Sequence, residues 1–256
     1  MTTKPIRRVA IIGTGVIGAS WTALFLANGL EVVATDVAPD AEAALKRFVE
    51  AAWPALKRLG LGPGASQSKL TFEFDLATAV KGADLVQENG PERIDFKKKL
   101  YRQLDELLPP DVMIASSSSG LTMSEIQSGC GAHPERCVIG HPFNPPHLMP
   151  LVEIVGGAKT SEETIQCVTE FYTGLGNGRS GCTRNCLDMS PIVFRRPLAG
   201  RSTISSPKAW SAPPTPTPLV HGVPACVGAS WAACFSTTSA AAGAASSTSS
   251  SSLPAL

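Results

Sequence analysis

The sequence lacks the features that mark a membrane or nucleic-acid partner. Hydrophobic residues make up 43% of the 256 residues, yet no uninterrupted apolar run reaches the roughly 20 residues that a membrane-spanning helix needs. The formal net charge is +1, which indicates no surface of a single sign. The N-terminal segment has no secretory cleavage site. We therefore expect a soluble, cytoplasmic protein that binds neither nucleic acid nor a membrane.

A metal-binding pattern is also missing. The chain has seven cysteines, but their spacings do not match known metal sites. Cys182 and Cys186 form a C-x-x-x-C pair with no second pair nearby. We expect no metal site, and thiols that stay reduced.

Acidic residues are almost absent from the last third of the chain. Asp188 is the only one of the 21 acidic residues that lies beyond residue 176, whereas six of the 22 basic residues lie there. That region is rich in proline, serine and alanine, as in APPTPTP and TTSAAAGAASSTSSSS. Such a composition is typical of a disordered segment. We predict a folded domain over residues 1–176, followed by a low-complexity, disordered or non-native tail over 177–256.

The stretch from Arg8 to Asp36 organises the folded part. It reads RVAIIGTGVIGASWTALFLANGLEVVATD. A short apolar strand leads into Gly13-x-Gly15-x-x-Gly18, and an apolar helical pattern and a second strand follow. A strand, three glycines, a helix, a strand and an acid in this order are the context that makes a glycine motif a dinucleotide-binding fingerprint.

Each part of this fingerprint has a physical role. Gly15 has no side chain, so a pyrophosphate can approach the backbone. Val16 and Ile17, inside the glycine motif, are candidate cofactor-binding residues, and the free N–H groups and positive dipole of the N-terminus of the helix that follows favour phosphate. Asp36 ends the second strand, where its carboxylate can bind both ribose hydroxyls and would repel a 2′-phosphate. The fingerprint therefore predicts NAD as the cofactor.

Strands and helices alternate through the rest of the folded part. Apolar periodicity of 3 to 4 residues marks the helices, and short apolar runs mark the strands. This alternation predicts an α/β fold of the Rossmann type, a doubly wound and mostly parallel sheet. The predicted helices cover 41–61, 76–80, 94–108 and 161–175 with a short one from Glu125, and the predicted strands cover 30–34, 69–74, 83–87, 112–115, 137–140 and 151–155.

Polar residues follow or interrupt three of the later strands. The serine run Ser116–Ser119 follows one strand and His141 follows another, whereas Glu153 interrupts the apolar run LVEIV. A buried carboxylate needs a partner, and a carboxylate beside a histidine fixes its tautomer and makes a general base. Each residue alone could be structural; together, at strand ends of a dinucleotide-binding fold, they indicate a catalytic site. We leave His133 and His147 as structural or exposed.

At these residues the chain resembles the NAD-binding domain of the L-3-hydroxyacyl-CoA dehydrogenase family over about residues 7–176. The similarity lies in the motifs GTGVIGAS, QENGPE, IASSSS, GHPFNP and LVE. It implies that His141 takes the proton from the substrate's 3-hydroxyl group, that Glu153 orients His141, and that Ser119 binds the reacting oxygen or the nicotinamide ribose. It also implies cofactor contacts from Glu92, Lys97 and Asn144. The family usually has Asn-Thr before its serine, where this chain has Ser117-Ser118, so Ser118 remains an alternative to Ser119.

The resemblance implies NAD-dependent oxidation of an L-3-hydroxy group to a 3-keto group, with a 3-hydroxyacyl-CoA as the first substrate class. The segments AAWPAL and GPGAS are more similar to the carnitine dehydrogenase branch. A carnitine- or gulonate-type activity on a small free 3-hydroxy acid is therefore an alternative. A non-catalytic NAD-binding protein, as in lambda-crystallin relatives, is another.

The resemblance to the family's helical second domain is missing after Gly176. In the family this domain supplies a catalytic asparagine and much of the dimer contact, so a homodimer is doubtful here. A second reading frame of the same DNA joins the third base of each codon to the first two bases of the next codon. From Gly176 onward, codon degeneracy permits this frame to encode KRPVRLHKELPGHVANRL. It also permits LRWGVMG from Ala225, and both segments resemble the family. We therefore hypothesise a frameshift near Gly176 that impairs activity.

Overall fold

In the computed structural model, residues 5–149, 151–175 and 183–185 are described, the last three as backbone only. The predicted tail otherwise lies outside the described residues, as do Cys182 and Cys186. Strands are β1 (Arg8–Ile12), β2 (Glu31–Thr35), β3 (Leu70–Phe72), β4 (Leu85–Glu88), β5 (Met113–Ser116), β6 (Cys137–Pro142), β7 (Val152–Gly156) and β8 (Thr183–Asn185). Helices are α1 (Val16–Ala27), α2 (Ala41–Leu59), α3 (Leu76–Val80), α4 (Ile94–Leu107), α5 (Met123–Ile126) and α6 (Glu162–Gly174).

The strands form one sheet in the order β3-β2-β1-β4-β5-β6-β7-β8. All neighbouring pairs are parallel except β6 and β7, which run antiparallel. The chain moves outward from β1 to β3 and then returns to β4 on the other side of β1. This reversal opens a crevice beyond the carboxyl ends of β1 and β4, where ligands bind in folds of this type. The predicted doubly wound, mostly parallel sheet is confirmed.

Both faces of the sheet are covered, as alternation along β1 shows. Val9 and Ile11 belong to one buried apolar cluster, whereas Ala10 and Ile12 belong to a second. Helices α1, α2 and α6 contribute side chains to the first cluster, and α4 and α5 to the second. A strand buried on both faces must be apolar throughout, which explains the uninterrupted run VAII.

Observed element ends differ from the predicted ones by a few residues. Strand β6 continues through His141 to Pro142, because β7 pairs with it over that length. Helix α5 begins at Met123 and not at Glu125, so that prediction was wrong. Thr122 caps the helix, and Glu125 completes a capping box with it. Among the described helices, none has the length and apolar content needed to cross a bilayer.

Candidate active site and cofactor cleft

The glycine turn between β1 and α1 forms a cradle whose two glycines, Gly13 and Gly15, carry no side chain. Gly13 has a φ of 83°, a conformation that favours glycine. A Cβ atom on Gly18 would lie 1.9 Å from the carbonyl oxygen of Gly13, so the helix can approach the turn this closely only with glycine there. A Cβ on Gly15 would meet nothing within 4 Å. No side chain caps the N-terminus of α1, and its first N–H groups are free for an anion.

Asp36 lies beside this turn. One carboxylate oxygen accepts hydrogen bonds from the Thr14 N–H at 2.6 Å and the Thr14 hydroxyl at 3.0 Å. The other accepts the N–H of Ala38 at 3.1 Å. Partial burial acts to raise the pKa of Asp36, but these hydrogen bonds lower it below its ordinary value. Asp36 is therefore held as a carboxylate next to the glycine cradle, as a ribose-binding acid requires. The open cradle and this carboxylate fit NAD.

His141 and Glu153 are directly opposite each other on the antiparallel strands β6 and β7. The His141 Nδ1 atom lies 3.0 Å from Glu153 Oε2, and about a fifth of each side chain is exposed. An ionised carboxylate only accepts hydrogen bonds, so Nδ1 carries the proton. Among the described residues no hydrogen bond joins His141 Nε2 to another group, so in this tautomer Nε2 can accept a proton from another molecule.

The four serines after β5 have different environments. The Ser116 hydroxyl donates to Glu88, and the Ser118 hydroxyl donates to Glu92, each at 2.6 Å. The Ser117 hydroxyl donates to Asn89 at 2.8 Å. Within the described residues the Ser119 hydroxyl has no partner, and Ser119 is exposed. Of the two serines that the sequence left open, Ser119 is thus the one available to a ligand.

Glu92 holds the loop that carries Ser119. Its Oε1 atom accepts the N–H groups of Ser119 at 3.0 Å and Gly120 at 2.6 Å, in addition to the Ser118 hydroxyl. Burial acts to raise the pKa of Glu92, but these bonds and the Lys97 charge, 3.8 Å away, lower it. The carboxylate therefore stays ionised and fixes the loop backbone.

Lys97 is buried rather than open to the cleft. Only 1% of its side chain is exposed, and its ammonium group contacts both carboxylate oxygens of Glu88, at 2.7 and 2.8 Å. Glu88 is fully buried and also accepts the Gly90 N–H at 2.6 Å. Any effect of Lys97 on a ligand must pass through Glu92 or through this ion pair.

The loop after β6 carries the remaining predicted residue. Asn144 is exposed at the start of this loop. Further along this loop His147 is buried. The Nδ1 atom of His147 lies 2.6 Å from the Ser20 hydroxyl of α1. His133, half-exposed, lies 3.1 Å from Glu135. Both histidines therefore have polar partners, but neither stands beside the sheet-end residues His141 and Glu153.

Sequence reasoning missed a set of buried polar residues behind the serine run. Gln87 and Trp21 both donate to the Ser117 hydroxyl, at 3.0 and 3.1 Å. Tyr172 on α6 in turn donates to Gln87. The available signal was Gln87, which together with Glu88 makes half of the buried four-residue strand β4 polar.

The fold and this site define a NAD-binding Rossmann domain of a dehydrogenase. Residues 8–180 match the family model described as 3-hydroxyacyl-CoA dehydrogenase, NAD binding domain. The chain therefore belongs to the 3-hydroxyacyl-CoA dehydrogenase family through this domain. NAD is its cofactor.

Relatives refine this assignment. The chain is 53% identical to L-carnitine dehydrogenase of Streptomyces coelicolor over 67% of this chain and 54% of the relative. It is 52% identical to L-carnitine dehydrogenase of Pseudomonas putida over 195 residues, 76% of this chain and 57% of the relative. A solved NAD+-dependent dismutase, 5-formyl-3-hydroxy-2-methylpyridine 4-carboxylic acid 5-dehydrogenase, superposes with a TM-score of 0.67 at 36% identity. That superposition covers 74% of this chain and 60% of the other.

The chain spans about half the length of the curated relatives it matches. The family model ends at residue 180, whereas the longer match covers 195 residues. A domain boundary at residue 176 therefore stays a prediction.

Proposed function

We propose that this protein carries the cofactor and proton-transfer half of a dehydrogenase that oxidises the 3-hydroxyl group of a small free acid, L-carnitine or a close analogue. The observation that carries the proposal is the cross-strand pair of His141 and Glu153, with Nδ1 and Oε2 3.0 Å apart. Identities of about half to the two L-carnitine dehydrogenases support the substrate class. They favour the free acid over the acyl-CoA thioester that the sequence first indicated.

The residues divide the chemistry as follows. Glu153 accepts a hydrogen bond from the Nδ1–H group of His141 and stabilises the imidazolium that forms during reaction. His141 Nε2 takes the proton of the substrate hydroxyl. Ser119, whose hydroxyl is unbonded within the described residues, binds the reacting oxygen or the nicotinamide ribose, and Asn144 contacts the nicotinamide end. Bound NAD would supply the acceptor for the hydride of the carbon that carries this hydroxyl group.

The residues after Gly176 also bear on the activity. We infer a frameshift near Gly176, because two separate stretches of one alternative frame resemble the family's helical domain. On this proposal, residues 177–256 replace a domain that supplies a catalytic asparagine and dimer contacts. The chain as written then binds NAD and turns substrate over slowly.

A NAD-binding protein without catalysis is the second candidate. It is favoured by the length of the match, which covers only 54% of the Streptomyces coelicolor relative. Substrate-dependent formation of NADH separates the two candidates.

The first test is to resequence the codons for Tyr172 to Arg184. The chain as written, and the frame-restored protein if a base proves missing, are then assayed for NADH formation with L-carnitine and with a 3-hydroxyacyl-CoA. We expect L-carnitine to be preferred and His141→Ala to abolish the activity while leaving NADH binding nearly unchanged. Preference for the CoA thioester, or full activity in His141→Ala, would contradict the proposal. Turnover by the chain as written at rates usual for enzymes would contradict the inferred impairment.

A further inference from the structure

We infer that a one-directional relay of hydrogen bonds, from Tyr172 through Gln87 and Ser117 to Asn89, holds the glycine turn in the shape that binds the cofactor pyrophosphate. In this relay Ser117 is the central positioning residue. The inference concerns the NAD-binding cradle and does not depend on the proposed substrate.

Donor chemistry fixes the direction of the relay. A tryptophan indole only donates, so the Ser117 oxygen accepts from Trp21 at 3.1 Å, and it also accepts from the Gln87 amide nitrogen at 3.0 Å. Two acceptor positions are then filled, and the Ser117 proton goes to the Asn89 amide oxygen at 2.8 Å. The Gln87 amide oxygen, pointing the other way, accepts the hydroxyl of Tyr172.

The relay ends on the glycine turn. The Asn89 amide nitrogen donates to the carbonyl of Ile12, the residue before Gly13, at 3.3 Å, and the Asn89 backbone N–H donates to the same carbonyl at 2.7 Å. A Cβ on Gly13 would lie 2.9 Å from the Asn89 carbonyl, and one on Gly18 would lie 3.2 Å from the Asn89 amide nitrogen. The same amide nitrogen also donates to the Gln87 carbonyl at 3.0 Å. Asn89 therefore packs against two of the fingerprint glycines, and we expect a change in its position to disturb the turn.

The other end of the relay is held in the core. Tyr172 is 5% exposed and its ring lies 5.3 Å from the ring of Trp21. Burial raises the pKa of Tyr172 well above its usual range despite its bond to Gln87, so its hydroxyl remains a donor. Gln87 and Trp21 are fully buried. Loss of the Ser117 hydroxyl would leave the buried donors of Trp21 and Gln87 without a partner. A buried donor without a partner costs more free energy than the loss of an exposed hydrogen bond.

The test compares Ser117→Ala with Ser117→Thr, which keeps the hydroxyl. Tyr172→Phe removes the first donor and keeps the ring. Thr173→Ala is the control, because Thr173 is an exposed neighbour whose hydroxyl bonds only to the Thr169 carbonyl of its own helix. Dissociation constants for NADH, ADP-ribose and AMP are measured on the full chain by calorimetry. Circular dichroism sets a temperature at which each variant is folded.

Two of the ligands contain the pyrophosphate and AMP does not. In Ser117→Ala we expect NADH and ADP-ribose to bind about tenfold more weakly, as for loss of one buried hydrogen bond, with AMP little changed. Ser117→Thr should restore binding to near the original value, and Thr173→Ala should have no effect. If Ser117→Ala does not fold, Tyr172→Phe carries the test with a smaller loss in the same two ligands. Unchanged NADH affinity in a folded relay variant, or equal weakening of all three ligands, would overturn the inference.

Discussion

Two glycines of the fingerprint offer a test that separates cofactor contact from folding. Alanine at position 15 adds a Cβ where the structure places no atom within 4 Å. Gly15 has a φ of −58°, which alanine adopts without strain. Changing glycine to alanine at a helix N-cap costs about 0.5–1 kcal/mol. We therefore expect Gly15→Ala to fold normally, with a melting temperature lowered by about 4 °C at most.

Cofactor affinity should respond differently. The added methyl group would occupy the space through which a pyrophosphate reaches the backbone N–H groups of the turn and α1. Loss of one hydrogen bond to a charged group costs about 1.5–3 kcal/mol, which corresponds to roughly 10- to 150-fold in the dissociation constant. NADH titration followed by fluorescence gives this number directly, and thermal unfolding of the same sample gives the stability.

Gly18→Ala should affect both measurements. Its Cβ would lie 1.9 Å from the Gly13 carbonyl oxygen, and the two backbones must separate by more than 1 Å to relieve this contact. Overpacking of this kind costs about 1–3 kcal/mol, so we expect lower stability as well as weaker NADH binding. Gly174→Ala, at a position with nothing within 4 Å, is the control: it should leave NADH affinity unchanged and should not lower stability, because alanine is favoured over glycine in a helix. Gly15→Ala with unaltered NADH affinity would refute the assignment of this turn as the pyrophosphate cradle.

Three further predictions concern charged and titratable groups. Lys97→Met should lower the free energy of unfolding by about 3–5 kcal/mol in urea, because it leaves the fully buried Glu88 unpaired; a change below 1 kcal/mol would contradict this. Asp36→Ser should weaken NADH binding and strengthen NADPH binding, each by about tenfold, since it removes the carboxylate that repels a 2′-phosphate; titration of both cofactors tests it. Burial lowers the pKa of His147, so the folded state disfavours its protonation. The contribution of neutral His147 to the free energy of unfolding is present above a pH of about 6.5. It is lost as the pH falls below that value, by at most about 1.4 kcal/mol per pH unit. Urea unfolding at several pH values should show a shallower slope for His147→Asn, and an equal slope would contradict it.

The sequence by itself determined the secondary structure and the cofactor. The glycine spacing, the apolar strand before it and the acid after it lie within 29 residues. Their geometry is local, because strand, turn and helix follow one another directly. Periodicity placed most helix and strand ends within a few residues for the same reason. It failed for α5, where the capping box of Thr122 and Glu125 set the helix start.

Only the tertiary structure decided how most of the polar side chains are paired. The sequence predicted the pair of His141 and Glu153, but the two stand opposite each other because β7 reverses direction beside β6, and strand direction is not encoded in apolar periodicity. The family resemblance implied a cofactor contact for Lys97, yet packing places it against Glu88, nine positions away. Ser119 is distinguished from its three serine neighbours only by the partners that β4, α1 and the Glu92 loop supply to the others. These contacts join residues up to 96 positions apart, so they are set by how the elements pack and not by any local pattern.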